Sequence, residues 1–138
     1  MPVEERPLAL SAVVFANRYP RRRIVLTVGR TAIIADVSAT PEAVTKGLSG
    51  RTTLNDGEGM LFVMRSADRH PFWMRGTTVP LSIAYIADDG TIQEIRDLEP
   101  LSEQSVRPEI PARIMLEVPK GWFERKGVGV GARVSIGR

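Results

Sequence analysis

Short apolar runs separated by turn residues dominate the chain, and they favour strands over helices. Residues 24–28 and 31–37 are rich in β-branched and apolar side chains, and Gly29-Arg30 between them predicts a hairpin turn. Residues 60–64 form an apolar run whose length suits a buried strand. Each of these runs is therefore expected to form one strand of a sheet.

The second half of the chain continues this pattern. Residues 81–87 and 91–97 flank Asp88-Asp89-Gly90, which is the clearest hairpin signal in the sequence. Residues 113–118 alternate with a period of two, as is typical of a half-buried strand. A terminal strand is expected at residues 133–136.

Helix signals are few and brief. The Thr40-Pro41 pair supplies a cap oxygen and a preset φ, so a short helix is expected to begin there and to end near Gly47. Pro119 can open a second helical turn. Residues 99–111 contain three prolines and are expected to form a long irregular loop. The predicted fold is mainly β, a single compact domain that is barrel-like or a folded sheet, with one or two short helices.

Composition bounds the size and excludes several chemistries. The 138 residues are 43% apolar and 25% charged, which is ordinary for one globular domain. The absence of cysteine excludes disulfides, thiolate metal ligands and cysteine nucleophiles. With a single histidine, His70, multi-histidine metal sites are excluded too, so we expect no metal and no cofactor. No stretch approaches the roughly 18 apolar residues of a membrane span.

Positive charge is concentrated at the N-terminus. The first 35 residues hold six basic and two acidic side chains, a charge of +4, whereas the other 103 hold 13 basic and 14 acidic, a charge of −1. Residues 1–23 are therefore predicted to be a basic arm or edge segment before a domain at 24–138. The Arg21-Arg22-Arg23 run can contact phosphates, but without interleaved aromatic residues such binding is weak and salt-dependent.

Four sequence blocks, taken in order, resemble a known family of small prokaryotic domains. The blocks are Lys46-Gly47-Leu48 with Arg51, Gly59-Met60-Leu61-Phe62, Phe72-Trp73-Met74-Arg75 with Thr77, Pro80 and Leu81, and Leu116-Glu117 with Gly121-Trp122. Together they are similar to the domain-of-unknown-function family 192 over residues 24–136. The resemblance implies a compact, mainly β domain, often exported and without an established reaction, and it favours an extracytoplasmic location.

The chain departs from the pattern of that family at two polar positions. The family commonly has asparagine where this chain has Gly76, and aspartate where it has Ser82. If the two polar groups belong to an active site, this protein lacks part of it. We favour the alternative that they cap turns or strand ends, because asparagine and aspartate cap backbone groups far more often than they catalyse.

An aromatic and basic segment is the main binding candidate. Phe72, Trp73 and Met74 would point to alternate faces of a strand, so at least one should leave the core. An aromatic ring beside Arg75 and Thr77 can stack a sugar ring or clamp a peptide. The commoner alternative for such a residue is that Trp73 packs under the 99–111 loop.

Glu117 is the main catalytic candidate. Period two places it opposite the face of Ile114, Leu116 and Val118, where it is expected to be solvated or paired with Arg51 or Arg75. Arginine–carboxylate pairs are mostly structural, although a hydrolase or lyase acting through Glu117 and an arginine remains an alternative. His70 lies in a polar loop just before Pro71 and is expected to be a solvated surface residue. A Ser-His-Asp arrangement is disfavoured, because the sequence has no nucleophile-elbow motif.

Three functions follow from these residues. The leading hypothesis is a non-catalytic binding or accessory domain that recognises a small molecule, glycan or peptide through Arg51, Trp73, Arg75 and Thr77. The first alternative is the enzyme acting through Glu117. The second is weak nucleic-acid binding through the arm. The absence of a complete catalytic constellation favours binding, while the ligand and the oligomeric state are left open.

Overall fold

Seven strands and one short helix form the described part of the chain, residues 23–38 and 53–137 of a computed structural model. In chain order they are β1 Arg23–Val28, β2 Thr31–Ser38, β3 Glu58–Asp68, β4 Leu81–Ile86, β5 Ile92–Leu98, β6 Ala112–Pro119, α1 Trp122–Arg125 and β7 Val134–Ile136. All the predicted strands are present, and β3 extends beyond the predicted run on both sides. The helix expected after Thr40 lies outside the described residues, as does the predicted arm apart from Arg23.

The strands form one sheet in the order β5-β4-β6-β3-β2-β1-β7. Its neighbours are antiparallel, except that β2 and β3 run parallel. The two ends of the sheet approach each other where Thr91 bridges Arg133 and the N–H of Ile92 donates to the carbonyl of Ala132 at 2.8 Å. The sheet is a half-barrel, which confirms the predicted mainly β, barrel-like fold.

Apolar side chains cover both faces of β3, β4 and β6, which are neighbours in the sheet. The first core lies on one face and is completed by Trp122 and Phe123 of α1. The second core lies on the other face and contains Met60, Phe62, Met74, Val79, Leu81, Ile83, Tyr85, Leu98, Ala112 and Met115. Strands buried on both sides read as continuous apolar runs, which is why residues 60–64 and 81–86 show no alternation.

Two irregular segments, residues 72–79 and 101–106, cover the second core. Met74 and Val79 are buried in it, and Phe72 and Val106 pack against it from a backbone bridge that joins the two segments. Between β5 and β6 this bridge is the one piece of regular pairing among the described residues, as expected for a proline-bearing loop. The predicted loop at 99–111 is thus confirmed, and it covers part of the second core.

Gly59 of β3 lies against the backbone of β6, where there is no room for a side chain. A Cβ atom at this position would lie 2.7 Å from the carbonyl oxygen of Glu117 and 3.3 Å from a methyl carbon of Val118. The first contact is with the backbone of a central strand, which cannot rotate away as a side chain can. Even the smallest side chain therefore forces β3 and β6 apart.

Gly59→Ala is expected to destabilise the fold by about 1–3 kcal/mol through this overpacking. The matched control is Gly129→Ala, because a Cβ at Gly129 meets no atom within 4 Å. The control should change stability by less than about 0.5 kcal/mol. Urea unfolding of both variants measures the difference, and equal midpoints would contradict the proposed close approach.

Candidate functional site

The 72–77 segment is held in place by backbone hydrogen bonds to the 101–106 segment. The N–H of Phe72 donates to the carbonyl of Val106 at 2.9 Å, and the reverse bond measures 2.7 Å. The N–H of Met74 donates to Ser102 at 2.9 Å, and that of Leu101 donates to Thr77 at 2.9 Å. The two segments are therefore fixed relative to each other, and the side chains between them have defined directions.

Extended backbone gives this segment two faces. Met74 is buried, and the ring of Phe72 meets that of Phe62 edge-on, with 5.3 Å between centroids. Trp73 lies between them and is 49% exposed. The prediction that one of the three large side chains leaves the core is confirmed. The interpretation that Trp73 packs under the 99–111 loop is wrong, because period two directs Phe72 and Met74 inward instead.

Arg75 contacts both Trp73 and the opposite segment. Its guanidinium carbon lies 5.5 Å from the centre of the Trp73 ring, a cation–π geometry. Its Nε lies 3.5 Å from Oε1 of Glu103, and the two side chains are 66% and 68% exposed. Sequence reasoning missed Glu103, because only the pairing of two irregular segments brings it to Arg75.

Leu101 adopts a backbone conformation that leucine rarely occupies. Its φ is +60°, in the left-handed region, and its side chain is 59% exposed. This conformation costs an L-residue about 1–2 kcal/mol, and burial of the leucine does not offset it. We call the exposed group formed by Trp73, Arg75, Leu101 and Glu103 the Trp73 surface.

Thr77 supports this surface from beneath. It is buried, its N–H donates to the carbonyl of Met74 at 3.0 Å, and its own carbonyl accepts from Leu101. The turn between Met74 and Thr77 passes through Gly76 at φ +71°. Asparagine tolerates the same left-handed conformation, so the geometry at Gly76 supports the turn interpretation of that family position.

Ser82 anchors the turn before α1. Its hydroxyl donates to Oδ1 of Asp97 at 2.7 Å and accepts the N–H of Gly121 at 3.1 Å. An aspartate at position 82 could accept the same N–H, but it would face the carboxylate of Asp97. The contacts of Ser82 therefore support the interpretation that this position caps backbone groups.

Glu117 occupies the face of β6 that sequence alternation assigned to it, and this face is buried. Its neighbours across the sheet are Met60 and Ile83, and its side chain is 5% exposed. Among the described residues Glu117 has no ion pair or hydrogen bond, and burial raises its pKa to about 8. The expected solvation is therefore wrong, and so is pairing with Arg75, which binds Glu103 instead.

Tyr85 is the polar neighbour of Glu117 in the second core. It pairs with Met115 where Ile83 pairs with Glu117, so the two side chains are diagonal neighbours on one face. Its hydroxyl has no hydrogen-bond partner within the described residues. Burial raises the pKa of Tyr85 to about 12, and the charge of Glu117 acts in the same direction. At neutral pH the pair is a carboxylic acid and a phenol.

The other candidate groups have structural partners or lie outside the described residues. Nε2 of His70 is 2.8 Å from the carbonyl oxygen of Ser66. Asp88 of the β4–β5 turn binds Arg113 at 2.9 Å, and Arg23 binds Asp36 and Glu58 at 3.0 Å each. Arg51, Arg21 and Arg22 lie outside residues 23–38 and 53–137.

Neither a metal-binding cluster nor a membrane-spanning helix is found in the described ranges. Within residues 23–38 and 53–137, no three histidine, aspartate or glutamate side chains are grouped as a metal site would need. No helix in the same ranges is long and apolar enough to cross a membrane. The candidate sites in this part of the chain are therefore the Trp73 surface and the buried Glu117.

Two solved structures share this architecture. A proposed transcription regulator from Sinorhizobium meliloti 1021 matches with a TM-score of 0.81 and 28% identity, over 84% of this chain and 95% of the other. A protein of unknown function from Novosphingobium aromaticivorans DSM 12444 matches with a TM-score of 0.75 and 31% identity, over 81% and 84%. No curated protein matches the chain.

The family comparison agrees with the sequence blocks that first indicated a resemblance. The matching family model is DUF192, described as "Uncharacterized ACR", and it spans residues 24–136, from β1 to the end of β7. This range covers nearly all the described strands, including the segment that carries Trp73. The chain therefore belongs to domain-of-unknown-function family 192.

Proposed function

We propose that the protein is a binding module that recognises its ligand through the Trp73 surface. The observation that carries this proposal is the exposure of Trp73 between Phe72, which is partly buried, and Met74, which is buried. The ligand classes that suit such a surface are small molecules, glycans and peptides, because a flat indole beside polar groups can stack rings and clamp apolar segments.

The rigidity of the surface supports this function. An exposed indole leaves apolar area in water, and covering it gains about 25 cal/mol per Å². Hydrogen bonds from Met74 and Leu101 fix the backbone on both sides, so little conformational entropy remains to be lost on binding. The strained Leu101 adds a second exposed apolar side chain, on a backbone that its hydrogen bond to Thr77 holds in place. Strain of this kind is more frequent at ligand-binding segments than elsewhere.

Of the residues predicted to bind a ligand, Trp73 and Arg75 are exposed. Thr77 is buried, and its backbone hydrogen bonds to Met74 and Leu101 hold the segment in place. A role for Arg51 stays a prediction, since this residue is outside the described ranges. An extracytoplasmic location, implied by the family resemblance, also stays a prediction. It agrees with a glycan or peptide ligand, because both are abundant outside the cytoplasm.

A second candidate function rests on Glu117. A carboxyl group with a pKa of about 8 is protonated at neutral pH and can serve as a general acid in a hydrolase or lyase. The described residues place no arginine against it, and its 5% exposure leaves little room for a substrate. The arm gains no comparable support as a nucleic-acid site, because its described residue, Arg23, binds two carboxylates.

Replacing both Trp73 and Arg75 with alanine is expected to abolish ligand binding while leaving the fold intact, because both side chains are exposed. The measurement is a binding screen of the parent protein against glycan and peptide panels, repeated with the variant. The matched control is Val130→Ala, an apolar residue that is 68% exposed in another part of the fold. A parent ligand that binds the double variant equally well would exclude this surface.

Glu117→Gln is expected to make stability less dependent on pH. The pKa of Glu117 is about 8 in the folded protein and has its ordinary value of 4.5 in the unfolded chain. The contribution of Glu117 to the free energy of unfolding is therefore fully present below about pH 4.5. It is lost progressively as the pH rises to about 8, and the loss is on the order of a few kcal/mol. Glutamine cannot ionise, so the variant should avoid this loss.

Thermal melts across this pH range measure the effect, with the exposed Glu124→Gln as control. Wild type and the control should follow the same curve, and Glu117→Gln should be increasingly more stable than both as the pH rises. Parallel curves for all three proteins would show that Glu117 ionises normally in the fold.

If the protein has an activity through Glu117, the rate should fall above about pH 8 as the acid form is lost. Glu117→Gln should then be inactive at every pH, because the amide cannot donate the proton. A broad hydrolase and lyase screen of wild type, followed by the variant, measures this. Equal turnover by both proteins would remove Glu117 from the mechanism.

A further inference from the structure

The Trp73 surface has two charges, and they neutralise each other. Arg75 and Glu103 form an ion pair, so the charged groups that flank the indole add to zero. A site for phosphate, nucleic acid or an acidic sugar would instead present its arginine unpaired, since a bidentate arginine is the usual recognition element for such anions. The pairing therefore favours a ligand without net charge.

The pair is also rich in unused hydrogen-bonding capacity. The guanidinium of Arg75 has five N–H donors and the carboxylate of Glu103 has about four acceptor sites, and one contact uses a small part of each. Both side chains are about two-thirds exposed, at 66% and 68%, so these positions are open to a ligand. A donor group and an acceptor group side by side match two adjacent hydroxyls, each of which both donates and accepts.

An apolar peptide side chain fits this arrangement less well. Packed on Trp73, it would cover the Arg75–Glu103 pair without replacing the water molecules that solvate it. Desolvating charged groups without new hydrogen bonds is costly. A polyhydroxyl ligand replaces those hydrogen bonds and still presents a flat C–H face to the indole.

We propose that the ligand of the Trp73 surface is a neutral carbohydrate, with a pyranose ring packed against the part of the Trp73 indole that Arg75 leaves exposed and adjacent hydroxyls bound by Arg75 and Glu103. This inference rests on the proposed function, since it names the class of ligand for the same surface. The exposed indole supplies the affinity, and the ion pair supplies the discrimination against charged sugars.

The two tryptophans provide an internal reference for the test. Trp73 is 49% exposed and Trp122 is fully buried in the first core. In a proton–nitrogen correlation spectrum, each indole N–H gives its own signal, and the Trp73→Phe variant identifies which signal belongs to Trp73. The probes are neutral hexasaccharides of glucose, mannose, galactose and N-acetylglucosamine, with a galacturonate hexasaccharide as the anionic counterpart.

At least one neutral hexasaccharide is expected to shift the Trp73 signal and leave the Trp122 signal unchanged, while the galacturonate shifts neither. Trp73→Ala should weaken neutral binding by about tenfold or more, as expected for the loss of an aromatic stack. Glu103→Gln leaves the charge of Arg75 unmatched, so this variant should gain galacturonate binding that wild type lacks.

The results separate this inference from the proposed function. Preference of wild type for galacturonate, or neutral binding that survives Trp73→Ala, would overturn the carbohydrate inference. If only peptides bind in a Trp73-dependent manner, the binding function stands and its carbohydrate specificity is wrong. If no glycan and no peptide perturbs Trp73, both proposals fail.

Discussion

The structure depends on the burial of one sheet on both faces. Strands β3, β4 and β6 place apolar side chains on each side, so a single layer cannot satisfy them. Curvature of the sheet closes the first core, with Trp122 and Phe123 filling its end. The second core needs a separate cover, and irregular chain around residues 72–79 and 101–106 provides it. The candidate binding surface is the outer side of that cover.

This arrangement explains how a hydrophobic constraint produces an exposed site. Phe72 and Met74 must point inward to close the second core, and extended backbone then directs Trp73 outward. Arg75 follows in the turn between Met74 and Thr77, where its side chain is exposed. The same backbone pairing brings Glu103 to Arg75. Packing in the second core thus fixes the backbone that carries the Trp73 surface, and no separate scaffold is needed to orient it.

Much of the fold was predictable, because the strand signals are local. The Asp88-Asp89-Gly90 turn and the alternation at residues 113–118 depend on neighbouring residues alone, and the hairpin and the strand are both confirmed. The expected half-burial of that strand is wrong, because Met115 and Glu117 on its second face are buried too. The site was predictable only in part. Alternation showed that at least one of Phe72, Trp73 and Met74 must leave the core. Which of the three side chains does so depends on which face of this segment packs against the second core.

Glu117 shows the same limit more clearly. The period of two correctly assigned its face, and a carboxylate on a face opposite three apolar residues is usually solvated. Whether that face meets water depends on the cover, whose residues are distant in sequence. The pairing of Arg75 with Glu103 was hidden for the same reason. Sequence patterns identify faces of strands, whereas the environment of each face is set by long-range contacts.

The pairing of β1 with β7 has a consequence for how the chain folds. Leu26 of β1 pairs with Ile136 of β7, so two strands that are far apart in sequence lie side by side. Contacts between such distant positions slow folding, because a long loop must close before the contact forms. During synthesis, the outer edge of β1 stays open until β7 has been made and has left the ribosome. The nascent protein therefore carries an unpaired strand edge, the kind of surface that chaperones protect from aggregation.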